Sequence, residues 1–126
     1  MTASVGLEEF RHRRKRLMKS MGLTAIAVLP GAQVQLRSRD TEYPFRQDSD
    51  FHYLTGFNEP ESVLVLAPGR DKGEAILFCR ERDRSAEQWT GERLGPERAE
   101  KSLGVDDAFP YADLGDILPG LLEGRE

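Results

Sequence analysis

The amino-acid sequence predicts an α/β domain in which a mixed β-sheet is flanked by helices. Three observations support this fold class. Apolar residues recur at helical spacing near the start of the chain, short apolar runs follow in the middle, and helical segments return toward the end. This order of elements is typical of a sheet covered by helices. The 126 residues are enough for one domain with a buried core.

The first predicted element is a helix from about Leu7 to Met21. Acidic residues lie near its start and Lys19 near its end, as the helix dipole prefers. Gly22 is expected to stop the helix. Six basic side chains fill the faces that the apolar residues leave, and we expect them to face solvent: Arg11, Arg13, Arg14, Lys15, Arg16 and Lys19.

Apolar runs in the first two thirds of the chain predict strands. The run at 25–29 is too short for a helix and ends at a Pro-Gly pair. The runs at 62–67 and 75–79 are joined by a connection too short for a crossover helix, so we expect them to pair antiparallel. Residues 33–37 alternate between polar and apolar and predict a shorter, half-exposed strand.

Two polar stretches are candidate binding loops. Residues 38–50 are irregular and long for a connection inside a compact domain, and a short extended piece at 51–55 follows them. Residues 80–95 are charged, lack periodicity and contain the only tryptophan, Trp89. An aromatic side chain in such a stretch favours either an interface or a ring that folds back over its own sheet.

The chain closes with two predicted helices. Residues 96–103 suit a short helix with proline in its first turn. Residues 113–122 predict a last helix, which Pro119 limits or kinks.

Composition narrows the class of protein. The net charge of −4 argues against a general nucleic-acid binder, and no apolar run approaches the ~20 residues that a membrane span needs. The single cysteine, Cys79, cannot form an internal disulfide, which fits a reducing cytosol. The polar start of the chain lacks the features of a signal peptide, so we expect a cytoplasmic protein.

Side chains suited to catalysis are scarce. His12 follows Glu8 by four residues, which is more typical of an ordinary helix contact than of a metal site. His52 is expected at the surface, on the side opposite its two aromatic neighbours, and Cys79 is expected to be structural. The two glycines of 90–95 lack the Lys-Ser/Thr pair of a phosphate loop. We therefore predict that this domain carries no catalytic chemistry of its own.

Two stretches carry a family resemblance. Residues 38–66 include Tyr-Pro-Phe-Arg-Gln at 43–47 and Tyr-Leu-Thr-Gly-Phe-Asn-Glu-Pro at 53–60, and residues 82–95 surround Trp89. Both resemble the N-terminal domain of aminopeptidase P (Xaa-Pro aminopeptidase), of the creatinase/prolidase-like superfamily. The resemblance covers nearly the whole chain, although family members often have another aromatic residue at the position of His52 and Asn in place of Asp48.

The resemblance implies a two-domain metallopeptidase that releases the N-terminal residue from peptides with proline second. Residues 1–126 would be its non-catalytic N-terminal domain, whose sheet can lack its last strand because the family's domain continues past Glu126. The catalytic "pita-bread" domain would lie beyond residue 126. It would hold two divalent ions, usually Mn²⁺, through two Asp, one His and two Glu. No metal ligand or catalytic residue is therefore expected in this chain.

The resemblance also implies partners and two site residues. The partners are the chain's own catalytic domain, the peptide substrate and further copies in a homo-oligomer (dimer or tetramer), in which a neighbouring subunit's loop helps to enclose the active site. Trp89 stands where the family's loop tryptophan closes the pocket for the N-terminal residue. Asp40 stands in a loop near the same site, where a carboxylate can attract the substrate's α-ammonium. We expect neither a nucleic-acid nor a membrane partner.

Three other interpretations remain open. The same accessory domain occurs in prolidase and creatinase relatives, which the substrate preference of the full protein would distinguish. Histone-chaperone relatives keep this fold as a non-catalytic interaction module, recognisable by a bound partner and by a catalytic domain without metal ligands. A nucleic-acid binder that uses residues 11–19 would show steeply salt-dependent binding.

Overall fold

The computed structural model describes residues 6–33, 47–71 and 73–123, which form a four-stranded sheet with helices on both faces. The elements follow one another as α1 (Leu7–Met21), β1 (Ala27–Pro30), α2 (Ser49–Thr55), β2 (Val63–Leu66), β3 (Ala75–Cys79), α3 (Arg84–Thr90), α4 (Pro96–Leu103), β4 (Asp107–Pro110), a 3₁₀ turn (Tyr111–Asp113) and α5 (Leu114–Leu122). The strand order is β1-β2-β3-β4, with β4 parallel to β3 and the other pairs antiparallel. The predicted mixed sheet flanked by helices is confirmed.

The central hairpin forms as the sequence predicts. In the antiparallel pair β2 and β3, Val63 lies opposite Phe78 and Leu66 lies opposite Ala75. Every residue of both strands is buried, because helices cover both faces of the sheet. Strands covered on both sides read as continuous apolar runs, which is why this pair stands out in the sequence.

Strand β4 is a departure from the prediction, which placed no strand between the last two helices. It has only four residues, Asp-Ala-Phe-Pro, and its apolar pattern is too short to identify. The strand forms because β3 offers a free edge, and the ring of Phe109 lies 5.7 Å from that of Phe78 between centroids. Its partner is distant in sequence, so local propensity does not reveal it.

The core has two layers, one on each face of the sheet. Met18, Phe51, Leu54 and Ala99 come from α1, α2 and α4 and pack on the face that carries Leu77. The opposite face is covered by apolar side chains of α5, which contact buried residues of β2 and β3: Ile117, Leu118 and Leu121 against Val63, Val65, Ile76 and Phe78. Alternate residues of each strand serve alternate layers, as the pleat requires.

Helix α2 corrects the prediction of an extended piece at 51–55. The Asp48 side chain accepts a hydrogen bond from the backbone N–H of Phe51 at 3.0 Å and so caps the helix start. Gly56 ends the helix in the left-handed conformation, with φ +70°. Aromatic residues made this segment look like a strand, but the cap and the burial of Phe51 and Leu54 favour a helix turn. His52 is exposed, as predicted. The expectation that it lies opposite both aromatic neighbours is wrong for Tyr53, which is also exposed, whereas Phe51 is buried.

Helix α1 has the predicted bounds, but one of its basic residues is not at the surface. Arg14 is only 2% exposed. Its guanidinium donates to the carbonyl oxygens of Leu54 at 2.8 Å, Leu103 at 3.3 Å and Gly104 at 3.1 Å. These carbonyls lie at the C-terminal ends of α2 and α4, where a cation complements the helix dipole. The expectation that all six basic residues face solvent is therefore wrong for Arg14, and it holds only in part for Arg13, whose side chain is 17% exposed.

The helices at 96–103 and 113–122 are confirmed as α4 and α5, with Pro119 inside α5. The strand predicted at 33–37 lies, beyond Gln33, outside the described residues. Within the described ranges, no helix has both the length and the apolar character that a bilayer crossing requires.

Candidate functional site

Trp89 lies on α3, in a stretch that the sequence predicts to be irregular. The helix begins after Asp83, whose side chain accepts a hydrogen bond from the backbone N–H of Ala86 at 3.2 Å, and ends at Gly91 with φ +96°. Trp89 is 87% exposed. The prediction of a loop over 80–95 is wrong for residues 84–90, and the alternative in which the indole folds back over its own sheet is wrong as well.

A single carboxylate organises the segment around Trp89. Glu87 accepts hydrogen bonds from the backbone N–H of Asp83 at 2.6 Å and of Arg93 at 3.1 Å. The guanidinium of Arg82 donates to the same carboxylate at 3.1 and 3.2 Å. The Glu87 side chain is 9% exposed. The hydrogen bonds from Arg82, and then those from the backbone, lower the pKa of Glu87 to about 2, so the carboxylate is charged throughout the physiological range.

A second carboxylate anchors the residues that follow. Glu59 accepts a hydrogen bond from the backbone N–H of Leu94 at 2.8 Å and faces the guanidinium of Arg80 at 3.4 Å. Glu59 belongs to the segment at 53–60 and Leu94 to the segment at 82–95. The two stretches that carry the family resemblance are therefore in direct contact.

Hydrogen bonds of the Gln47 side chain join a residue that precedes the long polar stretch at 38–50 to residues that follow it. The side-chain oxygen of Gln47 accepts a hydrogen bond from the backbone N–H of Ala32 at 2.6 Å, and its amide donates to the carbonyls of Phe57 at 3.2 Å and Glu59 at 2.9 Å. Asp40, the second predicted site residue, lies outside the described residues. Its placement relative to Trp89 therefore stays a prediction.

Glu87 and Glu59 are site residues that the sequence does not predict. Asp83 followed four residues later by Glu87 is close to a helix-start signature, and that signal was available. No local sequence pattern predicts the hydrogen bond between Glu59 and Leu94, because the two residues are 35 positions apart.

The described part of the chain offers no site for a metal ion. It contains no group of three or more His, Cys, Asp or Glu side chains that could hold one. Cys79 is buried, and burial, followed by the nearby charge of Glu59, raises the pKa of its thiol to about 12. A thiol held in this way is not a nucleophile at neutral pH.

The comparisons with known proteins agree with this fold and with these segments. The family model of the aminopeptidase P N-terminal domain matches residues 10–126. The Xaa-Pro aminopeptidase of Escherichia coli (strain K12) is 44% identical over 125 residues, which are 98% of this chain and 28% of that protein. The structure of aminopeptidase PepP from Pseudomonas aeruginosa superimposes with a TM-score of 0.95 at 53% identity, over 99% of this chain and 28% of that one.

A further solved structure records a metal in a relative. It is the zinc-substituted E. coli aminopeptidase P in complex with product, with a TM-score of 0.89 and 44% identity over 94% of this chain and 27% of that one. The fold and these matches define an N-terminal domain of the aminopeptidase P type. The chain belongs to the aminopeptidase P N-terminal domain family. It spans 28% of the length of the E. coli relative.

Proposed function

We propose that this chain is the non-catalytic N-terminal domain of a metal-dependent Xaa-Pro aminopeptidase, which releases the N-terminal residue from peptides with proline second. The match of the family model to residues 10–126 carries the proposal. The E. coli relative named Xaa-Pro aminopeptidase, at 44% identity, favours this activity over that of a prolidase or creatinase relative. The catalytic domain lies beyond residue 126 in this proposal.

The metal chemistry belongs to that second domain. Two divalent ions, Mn²⁺ in our proposal, would be held there by two Asp, one His and two Glu, and would activate a water and polarise the scissile carbonyl. The zinc-substituted relative supports metal use in this family. The protein would act in the cytoplasm, a proposal that the lone cysteine supports.

The domain serves oligomerisation and active-site enclosure. An aminopeptidase must bind one residue on the N-terminal side of the scissile bond and refuse a longer extension. The exposed indole of Trp89 is suited to that task, since it provides a large apolar wall at little cost in conformational entropy. In a dimer or tetramer, Trp89 of one subunit would close the pocket of its neighbour, with Asp40 attracting the substrate's α-ammonium.

The role of Trp89 is tested by the Trp89→Ala substitution in the longer enzyme, by which we mean this chain together with the catalytic domain proposed beyond residue 126. Loss of the wall should lower kcat/KM for short Xaa-Pro peptides by roughly tenfold or more, which corresponds to about 1.4 kcal/mol of transition-state stabilisation. Metal content, measured by mass spectrometry, should stay unchanged. Gln88→Ala is the matched control, because Gln88 is the exposed neighbour on the same helix. Equal kinetics for Trp89→Ala and the parent enzyme would refute the role of Trp89.

A further inference from the structure

We propose that Glu87 is a positioning residue that holds Trp89 in place by clamping both ends of α3. The proposal rests on the proposed role of Trp89 in closing the substrate pocket. The reason that a clamp is needed lies in the helix itself. Helix α3 has seven residues, too few for a stable helix on its own, and none of its described apolar side chains is buried. Burial of apolar side chains therefore contributes little to holding α3 against the domain.

The clamp closes around the helix. Asp83 precedes the first residue of α3 and Arg93 follows its end, and the backbone N–H groups of both donate to Glu87. One carboxylate thus fixes the chain on either side of the segment that carries Trp89. Arg82 completes the arrangement with a charge-assisted hydrogen bond on the same oxygens.

The position of Glu87 also sets the direction of Trp89. Residues two apart on an α-helix are separated by about 200° around its axis. Because Glu87 points toward the domain and is 9% exposed, Trp89 points away from it and is 87% exposed. Movement of α3 would displace the indole from the position in which, in our proposal, it closes the pocket of a neighbouring subunit.

The chemistry of the clamp requires a carboxylate. An ionised carboxylate has two acceptor oxygens and no donor, which suits a site where three groups donate. In Glu87→Gln one oxygen is replaced by an NH₂ group that faces an N–H donor, so at least one of the tethers is lost. The residues after the helix keep independent anchors, because Glu59 accepts from Leu94 and Arg98 donates to the carbonyls of Arg93 at 2.7 Å and Leu94 at 2.8 Å.

The first experiment measures order at Trp89 by ¹⁵N relaxation of its backbone amide and its indole N–H in the full chain. The indole signal is unambiguous because Trp89 is the only tryptophan. In the parent chain we expect a backbone order parameter of about 0.85, and in Glu87→Gln a value below about 0.6. Ala99, buried in α4, should stay rigid in both. The matched control Glu92→Gln, at a 68% exposed side chain that pairs with Arg82 and Arg98, should leave Trp89 ordered.

An unchanged order parameter at Trp89 in folded Glu87→Gln would overturn the proposal. If Ala99 also becomes mobile in Glu87→Gln, that variant has lost order beyond α3. The Arg82→Ala variant then provides the test of the proposal. It removes the side-chain donor and leaves both backbone tethers, so Trp89 should lose order to a smaller degree while Ala99 stays rigid. No change at Trp89 in that variant would likewise overturn the proposal.

The second experiment uses the longer enzyme and separates this proposal from the one on which it rests. Glu87→Gln should lower kcat/KM about as much as Trp89→Ala, and should add nothing in the Trp89→Ala background, as expected for a residue that acts through another. An equal loss in both backgrounds would show that Glu87 acts elsewhere. If Trp89→Ala has no effect, the pocket-closing role fails, and the order parameters still decide whether Glu87 positions Trp89.

Discussion

Cys79 shows how burial at a single residue creates a dependence on pH. Its thiol lies fully buried at the end of β3, and burial raises its pKa from an ordinary value of 9.0 to about 12. The unfolded chain loses the thiol proton above pH 9, whereas the folded chain retains it. The contribution of Cys79 to stability is therefore constant below pH 9 and falls as pH rises from 9 toward 12, by roughly 1.4 kcal/mol per pH unit.

Two measurements check this prediction. At pH 8 the folded chain should react with a thiol reagent such as Ellman's at a rate orders of magnitude below that of the urea-unfolded chain. Between pH 8 and 10 the parent should lose more stability than Cys79→Ala, which lacks the titrating group. Rapid modification of the folded chain, or parallel pH profiles for the two proteins, would contradict the assigned burial.

Arg14 acts at the scale of elements, because its side chain joins three helices. It starts on α1 and reaches carbonyl oxygens at the ends of α2 and α4. Burial, followed by the like charge of Arg11, lowers the pKa of Arg14 to about 10, so the side chain remains charged at neutral pH. Removing it takes a donor from three carbonyl oxygens, one of them in a buried hydrogen bond, which is more costly than losing one exposed ion pair.

We expect Arg14→Met to lower the free energy of unfolding by about 3 kcal/mol in a urea titration. Arg16→Met is the matched control, because Arg16 is exposed on the same helix, and its effect should stay within about 0.5 kcal/mol. Similar stabilities for the two variants would mean that water replaces the guanidinium at the ends of α2 and α4.

The length and local pattern of each helix or strand determine whether the sequence predicts it. Helix α1 and the β2–β3 hairpin follow from local patterns, since each has enough residues for a helical period or an apolar run. Helices α2 and α3 have seven residues each and depend on side-chain caps at Asp48 and Asp83, which a search for periodicity passes over. Strand β4 depends on the edge of β3, and nothing in its own four residues predicts that partner.

At the scale of the whole molecule, the fold class could be predicted and the site only in part. Trp89 stands out because a large aromatic in a charged stretch needs an explanation, but its exposure could not be decided without the structure. The clamp at Glu87 escapes the sequence because two of its donors are backbone N–H groups that converge only when α3 folds. Asp40 stays a prediction of the family resemblance.

The proposed division of roles between a catalytic domain and this N-terminal domain leads to a prediction for the whole chain. In the function proposed above, hydrolysis of the Xaa-Pro bond uses a metal-activated water, and the described ranges contain no group of three or more side chains that could hold the metal. We therefore expect the purified 126-residue chain to show no cleavage of an Xaa-Pro peptide with added Mn²⁺, and to retain no stoichiometric metal after dialysis.

The longer enzyme, assayed at the same concentration, should cleave the peptide and lose this activity with EDTA. Mixing the two proteins should leave the rate unchanged, unless the free chain competes for the proposed subunit contacts that would bring Trp89 to a neighbouring pocket. In that case the rate should fall with added chain, and a Trp89→Ala chain should lower it by the same amount, because competition for the contact does not require the indole. Metal-dependent cleavage by the pure, folded chain alone would place catalytic residues within these 126 positions and refute the division proposed between the two domains.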